Sequence, residues 1–301
     1  MNELSSAAAA KSEVPERQEK GERFAWTFPL ALLLPATALM LVLYAWPFVA
    51  SIYRSFLTAE EGLTLANYQK AYELYFRDVL FTLEVAVLST AIAAFLSIAI
   101  STYVRLANNR ISRYVGFLYR LPIFIPFVVV GQMMRTFLAP HGLLNVFLAQ
   151  VGIIDLNAPL QLFNIYGLVL SFIWKQAPFM TLIILGGFQM IDDAYVEAAR
   201  SVGANIYHII VKVLVPMSRA TIAVAVILAF TSTVGTFTLP FMLIGGKVPT
   251  TVTVDIAHRV TYFGDYGVAN ALGALSYLMV LVTAIYYLRY SVRKGIYEAQ
   301  E

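Results

Sequence analysis

The chain has 301 residues, of which 59% are hydrophobic and only 13% are Asp, Glu, Lys or Arg. A soluble chain of this length carries about twice that charged fraction, so soluble domains are excluded and an all-α polytopic membrane protein is expected. The formal net charge of +3 comes from scattered Lys and Arg, which excludes the basic face of a nucleic-acid binder, and the lack of cysteine excludes disulfides and thiolate metal sites.

In chain order, residues 1–26 are a polar tail of mixed charge, with an alanine run at 7–10 that can join a short helix. The first apolar segment covers residues 27–49 (TFPLALLLPATALMLVLYAWPFV). It is too long for a signal peptide, the region before it is long and mixed in charge, and no small-x-small cleavage site closes it. Five further segments are long and apolar enough to cross the hydrocarbon core with every backbone group bonded internally. They cover residues 79–103, 115–138, 164–186, 219–243 and 269–288. The transmembrane domain is therefore expected over 27–295, followed by a short tail at 296–301.

Positive charge near span ends marks the cytoplasmic side. Lys11, Arg17, Lys20 and Arg23 precede the first span, Arg105, Arg110, Arg113 and Arg120 follow the second, and Arg200, Lys212 and Arg219 follow the fourth. Arg289, Arg293 and Lys294 lie at the C-terminus. The alternate loops are poorer: residues 51–78 are balanced by acids, residues 139–163 hold no Lys or Arg, and residues 244–268 hold Lys247 and Arg259. Six spans with both termini in the cytoplasm fit this alternation.

Several spans are interrupted. The third holds Pro122 and Pro126, the fourth Pro178, and the fifth Pro240 after the polar run Thr231, Ser232, Thr233, Gly235, Thr236 and Thr238. Proline removes an amide donor and bends a helix. The hydroxyls either pack helices closely or line a polar path near mid-membrane. Glu84 and Arg135 sit near span ends, where snorkelling is cheap. Lys175 lies deeper, between Trp174 and Gln176. It must face a polar cavity, where it meets an anionic group of a solute, or reach a structural partner on a neighbouring helix or subunit. No acidic relay crosses the spans, which argues against a proton-coupled carrier. The chain has no phosphate-binding G-x-x-x-x-G-K-[ST] loop; the nearest approach, IGGKV at 244–248, lacks the spacing and the hydroxyl. His141, His208 and His258 lie 50 or more residues apart and read as ordinary loop or helix residues, and neither a catalytic cluster nor a metal site is expected.

The segment FQMIDDAYVEAARSVGANIYHIIVKVLVPMSRA (188–220) reads as two short cytoplasmic helices. Asp192 or Asp193 can cap the first, Gly203 permits the turn, and the second runs from about Asn205 to Leu214, stopping before Pro216. Ile206, Ile209, Ile210 and Val213 form its apolar stripe. On physical grounds the hairpin is a partner-binding element or a lid over the bundle.

Glu197-Ala198-Ala199, three residues, Gly203, and then Pro216 within Val213-Leu214-Val215-Pro216 reproduce a specific pattern. With it the chain resembles the transmembrane permease subunits of bacterial binding-protein-dependent ABC importers, over residues 28–295. The N-terminal run LLLPATALMLVLYAWPFVASIYRSF, Asn67-Tyr68, Leu121-Pro122, Ile125-Pro126, Gly142-Leu143-Leu144-Asn145, and Trp174 with Pro178-Phe179 also resemble the family.

The resemblance implies a coupling loop at 188–218 between spans four and five. In it Glu197, Ala198, Ala199, Gly203 and Pro216 contact a cytoplasmic ATPase subunit, and Gly203 sets the turn. It implies a second permease subunit, more often different than identical, two ATPase chains that hold ATP and magnesium, and an extracytoplasmic solute-binding protein. This chain itself would be no enzyme and would bind no cofactor. It would sit in the bacterial inner membrane, in contact with lipid but not nucleic acid. Lys175, Gln176, Thr231, Ser232, Thr233 and Thr236 are the candidates for the translocation path. Val202-Gly203-Ala204 and Phe237-Thr238-Leu239-Pro240 resemble the branch that moves polyamines, metals, thiamine or phosphonates, whereas the N-terminal run and Asn67-Tyr68 recur in sugar and glycerol-phosphate permeases. The solute is thereby expected to be small and polar. The alternatives are a membrane scaffold that docks a cytoplasmic partner, and a secondary carrier.

Overall fold

A computed structural model describes residues 33–57, 62–107, 109–245 and 249–298. The expected tail at 1–26 lies outside these residues. The chain divides into two units, Met1–Arg54 and Ser55–Glu301. Helix α1 (Leu33–Ser55) holds the described part of the first unit and is apolar along its length. Pro47 is carried inside α1 because the π turn Leu41–Ala45 comes just before it. The wider turn moves the preceding carbonyls away from the proline ring, which would otherwise clash.

The second unit is helical, with no extended strand among its described residues. Helix α2 (Ala66–Leu106) is the longest, at 41 residues. It starts thirteen residues before the expected second span, because residues 66–78 contain no helix breaker and charge does not end a helix. Then follow α3 (Arg110–Leu118), the 3-10 turn Leu121–Phe124, α4 (Phe127–Phe137), α5 (Leu143–Gln150) and α6 (Ile165–Gln189). After them come α7 (Asp193–Ser201), α8 (Ile206–Met217), α9 (Arg219–Gly235), α10 (Thr238–Ile244), α11 (Val252–Phe263) and α12 (Tyr266–Glu298). Helix α12 continues through residues 296–298 of the expected C-terminal tail; 299–301 lie outside the described residues.

Four helices, α1, α2, α6 and residues 266–286 of α12, are long and apolar enough to cross a membrane. Two bent pairs qualify together: Arg110–Phe124 with α4, bent by 105°, and α8 with α9, bent by 78°. The first bend lies where Pro122 and Pro126 remove two donors and Ile125 is extended. Pro178, expected to interrupt the fourth span, lies inside a continuous α6. The break in the fifth falls at Thr236–Phe237, and Pro240 sits in the first turn of α10, where an amide donor is not needed.

The core forms where α2 and α6 pack along much of their length. Ala86, Ser89, Ala93, Ser97 and Ser101 of α2 are fully buried at near four-residue spacing. That spacing keeps one face toward the neighbour, and small side chains let the backbones approach. Ser97 and Ser101 donate across the seam to the carbonyl oxygens of Ala177 and Thr181, at 2.9 and 3.3 Å. A second core region joins Val85, Val130, Leu138, Leu168, Phe172 and Leu239. Above it, the fully buried Asn145 ties the loop together: its amide nitrogen donates to the Ala139 and Leu160 carbonyls, and its oxygen accepts from the Leu160 amide. Gly142 stands beside it because a Cβ there would meet the Thr136 carbonyl oxygen at 2.3 Å.

Candidate functional site

The hairpin of 188–218 is built from its caps inward. The Asp192 carboxylate accepts the Ala194 amide at 2.9 Å and starts α7. The helix ends in paired backbone bonds, from the Gly203 amide to the Arg200 carbonyl at 2.9 Å and from the Ala204 amide to the Ala199 carbonyl at 3.0 Å. This Schellman arrangement needs a left-handed residue, and Gly203 supplies it with φ +80°. Asn205 then caps α8 by accepting the His208 amide at 2.9 Å.

Helix α8 does not stop before Pro216. The π turn Ile210–Leu214 leads directly into the segment holding Pro216, and the helix ends at Met217. The arrangement repeats that at Pro47. The expected apolar stripe is also shifted: Ile209 and Leu214 are buried, Ile210 and Val213 are half-buried, and Ile206 is exposed.

Val196, Ile209 and Leu214 pack into one cluster with Ile184, Phe188 and Ile191, and Ala199 and Ala204 touch it. The opposite face presents Glu197 and Ala198 to solvent, together with Tyr195, Val202, Ile206 and Tyr207. Exposed apolar groups thus surround an exposed carboxylate on this face.

Arg105 fixes this hairpin to the bundle. From the last turn of α2 its guanidinium donates to the Phe188 carbonyl at 3.1 Å and the Ile191 carbonyl at 3.0 Å, closing the C-terminus of α6. The same group pairs with the Asp193 carboxylate at 2.5 Å. In the sequence Arg105 is only one of several loop cations; its bonds span more than eighty residues, and no local pattern marks them.

The candidate path residues separate in space. Lys175 donates to the Pro122, Ile123 and Ile125 carbonyls at 3.2, 3.2 and 2.6 Å. These oxygens lie at the break before α4, where the Pro122 carbonyl also accepts the Ile125 amide at 3.3 Å, so the ammonium closes a helix end. Its Nζ also lies 5.1 Å from the Phe127 ring centre. Gln176 faces α9 instead and donates to the Ala229 carbonyl and the Thr233 hydroxyl at 3.3 and 3.4 Å, both inside the core. Thr231 is exposed, Ser232 and Thr236 are half-exposed, and Thr233 is buried. Of the six, Thr231 and Ser232 on α9 and Thr236 at the break that follows it therefore remain accessible, whereas Gln176 and Thr233 are internal contacts.

At the opposite end of α2, Asp78 accepts the Thr250 amide and Thr82 accepts the Val252 amide, both at 2.9 Å. These two side chains cap the start of α11 from a distant helix. One turn on, Asp255 is buried and its Oδ2 has no hydrogen-bond partner among the described residues. Burial, and then the nearby Asp78 carboxylate, push its carboxyl up to about 7, although Arg259 acts the other way.

Residues 93–296 match the family described as binding-protein-dependent transport system inner membrane component. The chain is 31% identical to the trehalose/maltose transport system permease protein of Thermococcus litoralis, over 50% of this chain and 52% of that one. That match therefore spans about half the length of either protein. Identity is 27% to the sulfoquinovosyl glycerol transport system permease protein of Agrobacterium fabrum, covering 85% and 87% of the two chains. It is 25% to the spermidine/putrescine transport system permease protein of Haemophilus influenzae, covering 75% and 79%. In structure, a chain of a bacterial ABC transporter that imports alginate superposes with a TM-score of 0.76 at 22% identity, covering 92% of this chain and 99% of that chain. A chain of a methionine ABC transporter superposes with a TM-score of 0.55 at 20% identity, covering 74% and 97%. At these identities the two structures speak for the fold.

Proposed function

Because the chain belongs to the binding-protein-dependent transport system inner membrane component family, and so is a permease subunit of an ABC importer, we propose that the α7–α8 hairpin is its coupling element. The observation that carries this is the hairpin itself: Gly203 closes a capped helix whose outer face offers Glu197, Ala198 and exposed apolar groups. Its inner face is anchored by Val196 and Arg105. In this reading Glu197 and Ala198 dock against a cytoplasmic ATPase subunit, while Ala199, packed inward, lets α7 sit close to the bundle. Gly203 and Pro216 hold the geometry of the loop, and closure of the ATPase pair pushes α7 as a rigid body through Arg105.

Six crossings are assigned to α1, α2, α4 entered from the surface segment Arg110–Phe124, α6, α9 with α10, and α12, with the termini and the α7–α8 hairpin on the cytoplasmic side. The bent pairs and the alternation of positive loops support it. Two permease subunits, this one and a second that need not be identical, would share one path in the inner membrane. Two ATPase chains would hold ATP and magnesium, and a solute-binding protein would deliver cargo from outside. Thr231, Ser232 and Thr236 are the path candidates that their exposure favours; Lys175 works as a structural cation.

For the solute, the sulfoquinovosyl glycerol permease, which matches over most of both lengths, favours a glycosidic compound, whereas the spermidine/putrescine permease, which also does, and Val202-Gly203-Ala204 favour the polyamine, metal, thiamine or phosphonate branch. The deciding experiment reconstitutes the purified complex with its ATPases and binding protein and measures ATP hydrolysis against a solute panel. Stimulation by a glycoside through the binding protein supports the first solute class, and stimulation by a polyamine, metal ion, thiamine or phosphonate supports the second. A chain that purifies without ATPase subunits under crosslinking would leave a scaffold or a gradient-driven carrier as the remaining readings.

A further inference from the structure

The end of α2, α3 and α7 enclose an open cavity of about 630 Å³. Four arginines line it, Arg105, Arg113, Arg120 and Arg200, against the carboxylates of Asp193 and Glu197. Arg105 is committed to Asp193 and two carbonyl oxygens. Arg120 bonds and stacks on Tyr119 without losing its charge. Arg113 and Arg200 are exposed and form no ion pair among the described residues. After Arg105 and Asp193 cancel, three guanidinium groups face one carboxylate, and the pocket has an excess of positive charge.

A second observation says where that charge sits. Helix α3 carries Ile111, Tyr114 and Leu118 on one face at i, i+3 and i+7, and all are more than half exposed. Arg110 and Arg113 run beside them. Exposed apolar groups alongside arginines describe a helix lying in a membrane interface. The bend of 105° agrees: if α4 enters the bilayer, the segment Arg110–Phe124 runs along its surface. The pocket thus opens at headgroup depth, with aromatic and aliphatic groups placed to meet acyl chains.

We infer that this pocket binds the phosphate of an anionic phospholipid, held chiefly by Arg113, Arg120 and Arg200, with the acyl chains along the apolar face of α3. Guanidinium groups suit the planar, multi-oxygen geometry of a phosphodiester, and basic pockets beside spans recognise lipid headgroups in this way. Free phosphate shares the headgroup chemistry but makes no use of Ile111, Tyr114 and Leu118, which is why the lipid is the assigned source. Because α7 forms one wall, a bound headgroup holds the hairpin against the membrane surface. The binding itself does not depend on the coupling role proposed for α7.

The test titrates the delipidated intact complex with micelles containing phosphatidylglycerol or phosphatidylcholine and counts retained lipids by native mass spectrometry. One phosphatidylglycerol is expected per copy of this chain, with no matching phosphatidylcholine. Arg113→Glu should weaken its retention roughly thirtyfold, as expected for a two-unit change of charge at a headgroup, and Arg113→Lys should retain it. Arg113→Gln paired with Arg120→Gln provides a second variant that introduces no acidic group, and it should also lose the lipid. Equal retention by wild type and Arg113→Glu overturns the inference. Displacement of the lipid by inorganic phosphate at equal concentration overturns the lipid assignment, as does a crosslink from position 113 to an ATPase chain in place of lipid.

Discussion

Arg105 and Asp193 are 88 residues apart in the chain and 2.5 Å apart in space, and their pairing joins the longest helix to the first turn of α7. The ion pair alone is worth little, because Asp193 is 71% exposed and water screens it. What matters is that the same guanidinium also binds two carbonyl oxygens at the end of α6, on a side chain that is 16% exposed. One group therefore sets the angle at which α7 leaves the bundle.

Arg105→Met keeps the apolar stem and removes all three contacts. The expected outcome is a complex that assembles and hydrolyses ATP while solute uptake per ATP falls several-fold. Parallel uptake and hydrolysis assays in proteoliposomes check this, and an unchanged ratio would remove Arg105 from the coupling path.

A Cβ added at Gly203 would meet no atom within 4 Å, so substitution is resisted by the positive φ rather than by crowding. Gly203→Ala should cost about 1–2 kcal/mol, Gly203→Val more, and Gly203→Asn least, because asparagine tolerates the left-handed region. Uptake should fall in the order Asn, Ala, Val at matched expression. A ranking by side-chain volume, with Asn as poor as Val, would show that steric fit to a partner decides instead.

Lys175→Met removes the ammonium that three carbonyl oxygens share at the break before α4, of which that of Pro122 keeps the Ile125 amide, at a cost of about 2–4 kcal/mol. Thermal unfolding of the solubilised complex should shift down with Met and far less with Arg. Were Lys175 a solute ligand, the Met variant would keep its melting temperature and change solute dependence alone.

Asn145 satisfies three backbone groups while fully buried, so Asn145→Leu strands a donor and two acceptors of the loop. A loss of about 2–4 kcal/mol is expected, seen as earlier proteolysis between α4 and α6 in intact protein. Wild-type resistance in that region would mean that the loop is held by other contacts.

Asp255 supplies a pH dependence. Its folded carboxyl titrates near 7, above the unfolded value of 3.8, so between those values the folded chain holds a proton that the unfolded chain releases. Stability from this group is complete below about pH 4 and is lost as pH rises through about 7. Asp255→Asn should flatten the fall in melting temperature between about pH 5 and pH 7 and raise it at about pH 8. The same slope in both proteins would assign the effect to another group.

Much of the candidate site could be found in the sequence because its signals are local. Asp192 as a cap, Gly203 as a turn and Asn205 before a second helix are choices that each backbone segment makes for itself, and all three occur. The prolines were less informative. Pro122 and Pro126 mark a true break, yet Pro178 and Pro216 lie within helices, the latter behind a π turn that relieves what a regular helix could not.

Composition and short-range spacing were enough to establish that the chain is helical and apolar enough to live in a membrane, that four of the expected segments fall in helices long enough to span it, and which loop holds the Glu197-Ala198-Ala199 and Gly203 pattern. These are properties of the chain alone, legible before any helix meets another. The employment of Lys175, the accessibility of Thr231 and Thr236 against the burial of Gln176 and Thr233, and the role of Arg105 emerged from the packed helices. They depend on which distant backbone groups lack a partner, and an unpaired carbonyl becomes visible only when another helix brings a donor to it.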